Sequence, residues 1–262
     1  MSYANLNLDI ADGVACITLN RPKVGNAISP DLARELSDAA VRCDDNADVR
    51  AVVVTGSGKL FCAGGDLGAM ATAGDEVKSV IKIMAGDLHM ALSRLSRGNA
   101  PVIAAVNGTA GGAGMSLVMA TDLAICGASA KFTMAYTNAG LSPDGSSTFF
   151  MPRKIGDRRT RELILTNRVL SAAEAEEWGI VNRVVADDQV LAESMTLAKT
   201  LAEGPTLAYG ASKALLNETF EHGLEAQMEL ETRAIAQMVT TTDGAEGIEA
   251  FLNKRKPSFT GR

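Results

Sequence analysis

Two short glycine-rich stretches are the most chemically suggestive features of this 262-residue chain. They are Ala63-Gly64-Gly65-Asp66 and Gly111-Gly112-Ala113-Gly114. Glycine has no Cβ, so a backbone built from it lets another group come close to its amides. The second stretch runs into apolar residues 115–120, which read as the start of a helix. The first amides of a helix have no internal acceptor and carry partial positive charge. One N–H from each loop, aimed at a single point, would hold a developing oxyanion. Each such donor is typically worth about 3 kcal/mol in a transition state. Two ordinary tight turns would show the same glycines, and at this point both readings stand. Two other glycine signatures fail. Gly56-Ser57-Gly58-Lys59 is followed by Leu60 where a phosphate loop needs Ser or Thr, and Val53 stands where its first Gly belongs. Residues 108–114 do not fit GxGxxG, so no dinucleotide site is expected.

Those loops need elements to hold them. Residues 6–10 and 14–19 read as a β-hairpin around Asp12-Gly13, ended by Asn20-Arg21-Pro22. Ser29-Pro30 caps a helix over 30–44 that turns Leu32, Leu36 and Ala39 or Ala40 inward. Buried strands are expected at 51–55, 101–106 and 123–126, with a shorter one near 131–135. Residues 59–68 read as loop, and helical periodicity returns over 76–97. This rhythm suggests stacked β-β-α turns in an α/β fold. The character changes after residue 186: residues 189–254 are almost all helix formers. Leu224, Met228, Ile235 and Met238 form one apolar stripe there. Two or three helices with such a face would pack on a partner subunit or on their own domain, and pattern alone leaves both open.

Composition narrows the function classes. Apolar residues make up 47%, charged residues 21%, and the mean hydropathy is +0.09, values of a globule with a substantial core. A net charge of −6 and a pI near 5.1 argue against nucleic-acid binding, though not against a local basic pocket. Cys16, Cys43, Cys62 and Cys126 are scattered without a CxxC pair and read as free thiols in a reducing cytosol. His89 and His222 are far apart in sequence, so no metal site is expected. The N-terminal stretch has neither a basic nor an apolar signal region, and no apolar run reaches membrane-spanning length. The expectation is a cytoplasmic protein that engages no membrane.

Several motifs recur in order along almost the whole chain. They are Asn20-Arg21-Pro22 with Asn26-Ala27, then Phe61-Cys62-Ala63-Gly64-Gly65-Asp66, then Pro101 through Asn107-Gly108. Gly111 to Gly114 by number (111–114), Asp122, the run Leu165-Thr166-Asn167-Arg168, Gly179 and the ending Phe251 through Phe259 (251–259) continue the series. Together they resemble the enoyl-CoA hydratase/isomerase, or crotonase, family. That resemblance implies a spiral of β-β-α units over residues 1–186 and a C-terminal helical trimerisation region over 187–262. It implies an acyl-coenzyme-A thioester as substrate, no permanently bound cofactor, and a homotrimer or dimer of trimers. The amides of Ala63 and Ala113 would form the oxyanion hole. Lys23, Asn26, Ala27, Ala63, Gly64, Asp66, Leu67 and Gly112 would line the coenzyme A site. Phe251 and Lys254, from a neighbouring subunit, would close over it.

The resemblance also bears on the reaction. Family hydratases use two glutamates, one after the second glycine loop and one twenty residues on; here those places hold Ser116 and Tyr136. Simple hydration is therefore disfavoured. Asp144 matches the single acid of family double-bond and ring-epoxide isomerases; for a double-bond shift one carboxylate suffices, removing a proton from C2 and returning it to C4. That role asks for an apolar pocket around the carboxyl. Against it, Ser142-Pro143-Asp144-Gly145 is ordinary helix-start chemistry, with Ser142 as cap and Asp144 in the first turn. Tyr136, Asp144 and His89 also resemble the Trp, Asp and His of 4-chlorobenzoyl-CoA dehalogenases, in which the Asp is a nucleophile and the His activates water. His89, in a helical segment, reads equally as a surface or packing residue. Isomerase is the first expectation. Dehalogenase or other acyl-CoA hydrolase, hydratase, and a non-catalytic CoA- or RNA-binding homologue are the alternatives.

Overall fold

The computed structural model describes residues 3–262. The fold begins with β1 (Leu6–Ala11) and β2 (Val14–Leu19), paired antiparallel. Asp12 and Gly13 make the turn at φ 52° and 76°. Positive φ at both positions matches the twist of the flanking strands, which is why Asp-Gly serves there. Next comes α1 (Pro30–Asp45), whose first turn is capped by Ser29 Oγ accepting from the Leu32 amide at 3.2 Å. The chain continues through β3 (Ala51–Gly56), α2 (Leu67–Thr72), α3 (Val77–Arg97), β4 (Val102–Val106), β5 (Ala110–Gly111) and α4 (Ala113–Ala120). It goes on through β6 (Leu123–Gly127), β7 (Lys131–Thr133), α5 (Ser147–Ile155), α6 (Asp157–Thr166), β8 (Leu170–Ser171), α7 (Ala172–Trp178) and β9 (Arg183–Val185). Four helices end it: α8 (Val190–Ala202), α9 (Thr206–Glu218), α10 (Leu224–Met238) and α11 (Thr242–Leu252).

One sheet has the order β1-β2-β3-β4-β6-β9 and is parallel from β2 onward. A second has the order β5-β7-β8, and single parallel bridges, Cys62 to Ala110 and Ile28 to Gly65, extend it. Each turn of the chain thus lays a strand in the large sheet, a short segment in the small one, and then a helix. The stacked β-β-α spiral expected from sequence is the observed architecture. Every residue of β3 and β4 is buried, as expected of parallel strands covered on both faces.

The C-terminal part departs from expectation in two ways. It contains four helices rather than two or three. The first of them is not an appendage: Val190, Ala198 and Ala202 of α8 form a core with Val14, Val53, Ile103 and Ala105 on the outer face of the large sheet. The change in sequence character at residue 186 therefore marks no break in packing. Helix α10 has no fully buried residue, and Leu224, Met228 and Ile235 stand 70%, 53% and 71% exposed. Among the described residues no helix is long and apolar enough to cross a membrane.

Candidate active site

The two glycine loops are adjacent rungs of the small sheet. The Cys62 amide donates to the Thr109 carbonyl at 3.2 Å, and the Gly111 amide to the Cys62 carbonyl at 2.9 Å. On its other edge the first loop pairs with Ile28, whose amide donates to the Gly64 carbonyl at 2.8 Å and whose carbonyl accepts from Asp66 at 2.9 Å. The Ala63 amide donates to the Gly25 carbonyl at 2.9 Å, so it is occupied and faces away from the second loop. This corrects its assignment as an oxyanion donor. In a parallel bridge, the residue between the two bonded ones turns its own N–H to the opposite edge. Gly65 is that residue, and its amide has no acceptor among the described residues. The opposite edge is where the second loop lies. There Ala113 is the first residue of α4, and its amide has no intrahelical partner. The free pair is Gly65 with Ala113.

Glycine is required where these loops touch. A Cβ on Gly114 would sit 2.3 Å from the Cys62 carbonyl oxygen, a backbone atom that cannot swing away. Gly114→Ala is expected to lower stability by about 1–3 kcal/mol, the usual cost of overpacking. Urea unfolding measures it. Wild-type stability in that variant would mean the loops are free to part.

Helix α4 then carries Ser116 one turn beyond Ala113. Ser116 Oγ donates to the Asp144 carbonyl at 2.8 Å and lies 3.1 Å from the Tyr136 hydroxyl, which also donates to that carbonyl at 3.3 Å. Burial pushes the Tyr136 phenol up to about 12, so it stays a donor at neutral pH. Tyr136 therefore positions the backbone at residue 144 and makes no hydrogen bond to the carboxylate. The expected helix start at Ser142-Pro143 does not form. Gly145 and Ser146 both take positive φ, 62°, and α5 begins only at Ser147. Asp144 therefore sits in an irregular strap tied to α4, outside any helical turn.

The Asp144 carboxylate lies 2.7 Å from His89 Nε2. The helix α3 that carries His89 buries Leu88 and Leu92 in the core, which leaves His89 at the rim facing the strap. Their side chains are 41% and 50% exposed, so one chain alone does not enclose Asp144 in the apolar pocket expected from sequence.

The residues expected to meet coenzyme A divide into two groups. Lys23, Leu67, Phe251 and Lys254 are exposed, and Phe251 is 83% exposed. The others hold the loops. Asn26 is fully buried, with Nδ2 donating to the carbonyls of Ser57 at 2.9 Å and Leu60 at 2.8 Å and Oδ1 accepting from the Arg21 amide. It cannot touch a ligand, which corrects its assignment. Asp66 caps α2 through the Ala69 amide at 3.0 Å and pairs with Arg21 at 2.9 Å. Burial acts to raise its pKa, but these bonds prevail and hold it below the usual carboxylate range. The same guanidinium donates to the Ala27 carbonyl. Gly64 gives its carbonyl to Ile28, and Gly112 gives its amide to Thr133 at 3.0 Å. Arg21 belongs to the Asn20-Arg21-Pro22 motif, but its role as the clasp between residue 27 and the first glycine loop shows only in three dimensions.

A family model described as enoyl-CoA hydratase/isomerase matches residues 9–262. A probable enoyl-CoA hydratase of Rhodobacter capsulatus is 37% identical over 262 residues, covering 100% of both chains. A 4-chlorobenzoyl coenzyme A dehalogenase of an Arthrobacter species is 36% identical over 255 residues, 97% of this chain and 92% of that one. The solved structure of a putative enoyl-CoA hydratase/isomerase from Mycobacterium abscessus matches with a TM-score of 0.93 at 33% identity, covering 98% and 100% of the two chains.

Proposed function

Because the chain belongs to the enoyl-CoA hydratase/isomerase family, we propose that it shifts the double bond of an unsaturated acyl-CoA, with Asp144 as the base. One observation carries this reading. A single carboxylate, Asp144, is tethered through Ser116 to the first turn of the helix whose leading amide belongs to Ala113. The thioester oxygen would accept from Gly65 and Ala113. Negative charge then develops on that oxygen as Asp144 takes the C2 proton, and the same carboxyl returns it to C4. The thioester itself supplies the acidified carbon, so no resident cofactor enters. Hydration fits less well. The two places that would hold its acid and base are Ser116 and Tyr136, and both are spent on the Asp144 carbonyl. Lys23 and Leu67 flank the loops on the side open to coenzyme A. The uncovered stripe on α10 and the exposed Phe251 and Lys254 fit a trimer in which a neighbour closes the site.

The test offers 3-enoyl-CoA and 2-enoyl-CoA thioesters. The expected result is rising ultraviolet absorbance from the first at unchanged mass. A gain of one water from the second, with no isomerisation, would overturn the reading.

The His89 contact favours a second reading, in which Asp144 attacks an aryl carbon, displaces halide, and His89 activates water against the resulting ester. His89→Gln separates the two. In the isomerase it lowers the rate by about tenfold, the worth of one charge-assisted hydrogen bond. In a dehalogenase it leaves an ester on Asp144 that intact-protein mass spectrometry would detect.

A further inference from the structure

A groove leaves the Asp144 strap along α5. Its first part, a cavity of about 270 Å³, is lined by His89, Ser96, Phe149, Phe150 and Asn217. A second cavity, of about 550 Å³, adjoins the first across Ser96, Phe150 and Asn217, which line both. Helix α5 runs beside both for nine residues, about 13 Å at 1.5 Å per residue. The apolar walls of the far cavity include Leu216 and Phe220.

Its charges do not balance. Lys213 is saturated: its ammonium pairs with Asp122 at 2.7 Å and donates to the carbonyls of Leu95 and Ala100 at 3.1 and 2.8 Å. That pair neutralises the one carboxylate lining the cavity. Lys154 has only the Thr121 carbonyl and no carboxylate within ion-pair reach among the described residues. Burial pushes its ammonium down to about 8, and the Asp122 carboxylate, already paired with Lys213, offsets that only in part. Beside it, the Arg153 guanidinium lies 3.6 Å from the Phe149 ring centroid, and its buried Nε has no hydrogen-bond partner. Two cations with unused donors stand at the end of a mainly apolar groove. Planar two-oxygen acceptors suit such donors.

We infer that this groove receives the far end of the acyl group, and that the substrate is an acyl-CoA whose chain ends in a carboxylate held by Lys154 and Arg153. The inference rests on the placement of the thioester beside Asp144. Calorimetric titration with two saturated, unreactive acyl-CoAs of equal medium length, one carboxyl-ended and one methyl-ended, tests it without turnover. The carboxyl-ended thioester is expected to bind about tenfold more tightly, as one charge-assisted contact allows. Lys154→Met and Lys154→Gln should both bring that ratio close to one, and Gln keeps a donor for Thr121 should Met disturb the fold. Equal binding, tighter binding of the methyl-ended thioester, or an unchanged ratio in both variants would overturn the inference. If short 3-enoyl-CoA is isomerised while the ratio is one, the groove assignment alone fails. A tenfold ratio without isomerisation would instead leave the groove standing and remove the proposed reaction.

Discussion

Asp144→Asn is expected to lower the turnover of a 3-enoyl-CoA by about 10²- to 10⁴-fold, the range a positioned general acid–base contributes. The loss should fall on kcat. The side-chain oxygen of Asn can still accept from His89, and the backbone carbonyl at residue 144 keeps its bonds from Ser116, Tyr136 and Ser147. The amides of Gly65 and Ala113, proposed to hold the thioester, are untouched as well, so KM should move little. Stability should match the wild type within about 0.5 kcal/mol, since the replaced group is a half-exposed surface one. Stopped-flow absorbance with a 3-enoyl-CoA reads the rate, and thermal unfolding provides the control. A variant that keeps more than a tenth of wild-type turnover would place the base elsewhere.

The same residue shows where sequence reading stops. Local chemistry around Ser142-Pro143 argues for a helix start, yet Ser116 and Tyr136, distant in sequence, bind the 144 carbonyl and hold the strap open. The hairpin at Asp12-Gly13 and the Ser29 cap were legible because neighbours a few residues away decide them. The glycine loops were legible as amide presenters for the same reason. Which amide is free was not. That depends on the partner strand on each edge: Gly25 takes the Ala63 amide, and the Ile28 bridge turns Gly65 the other way. Asn26 misled similarly. A polar side chain in a ligand-lining motif looks like a ligand contact until its amide proves to be fastened to the carbonyls of Ser57 and Leu60. Lys23 and Leu67, proposed to meet coenzyme A, stand exposed, whereas the buried Asn26 is taken up by the loops themselves.

Ala113→Pro tests the amide pair itself. Proline removes one N–H and nothing else from the hydrogen-bond inventory, and the first position of a helix is where it is best tolerated. Residue 113 is that position in α4, and the preceding Gly112 has no Cβ to clash with the ring. The fold should therefore survive, while kcat falls by about 10²- to 10³-fold, the cost of one oxyanion donor. Ala113→Ser separates lost amide from added bulk, because it keeps the N–H and should keep most of the activity. Ala63→Pro should behave differently. It breaks the bond to the Gly25 carbonyl, so its first effect is on stability. If Ala113→Pro retained full turnover, the oxygen would not be held at α4, and the isomerase reading would lose its electrostatic half. Combined with Asp144→Asn, the loss should be smaller than the product of the two single losses. With proton transfer already crippled, little negative charge reaches the thioester oxygen, and the missing donor has less to stabilise.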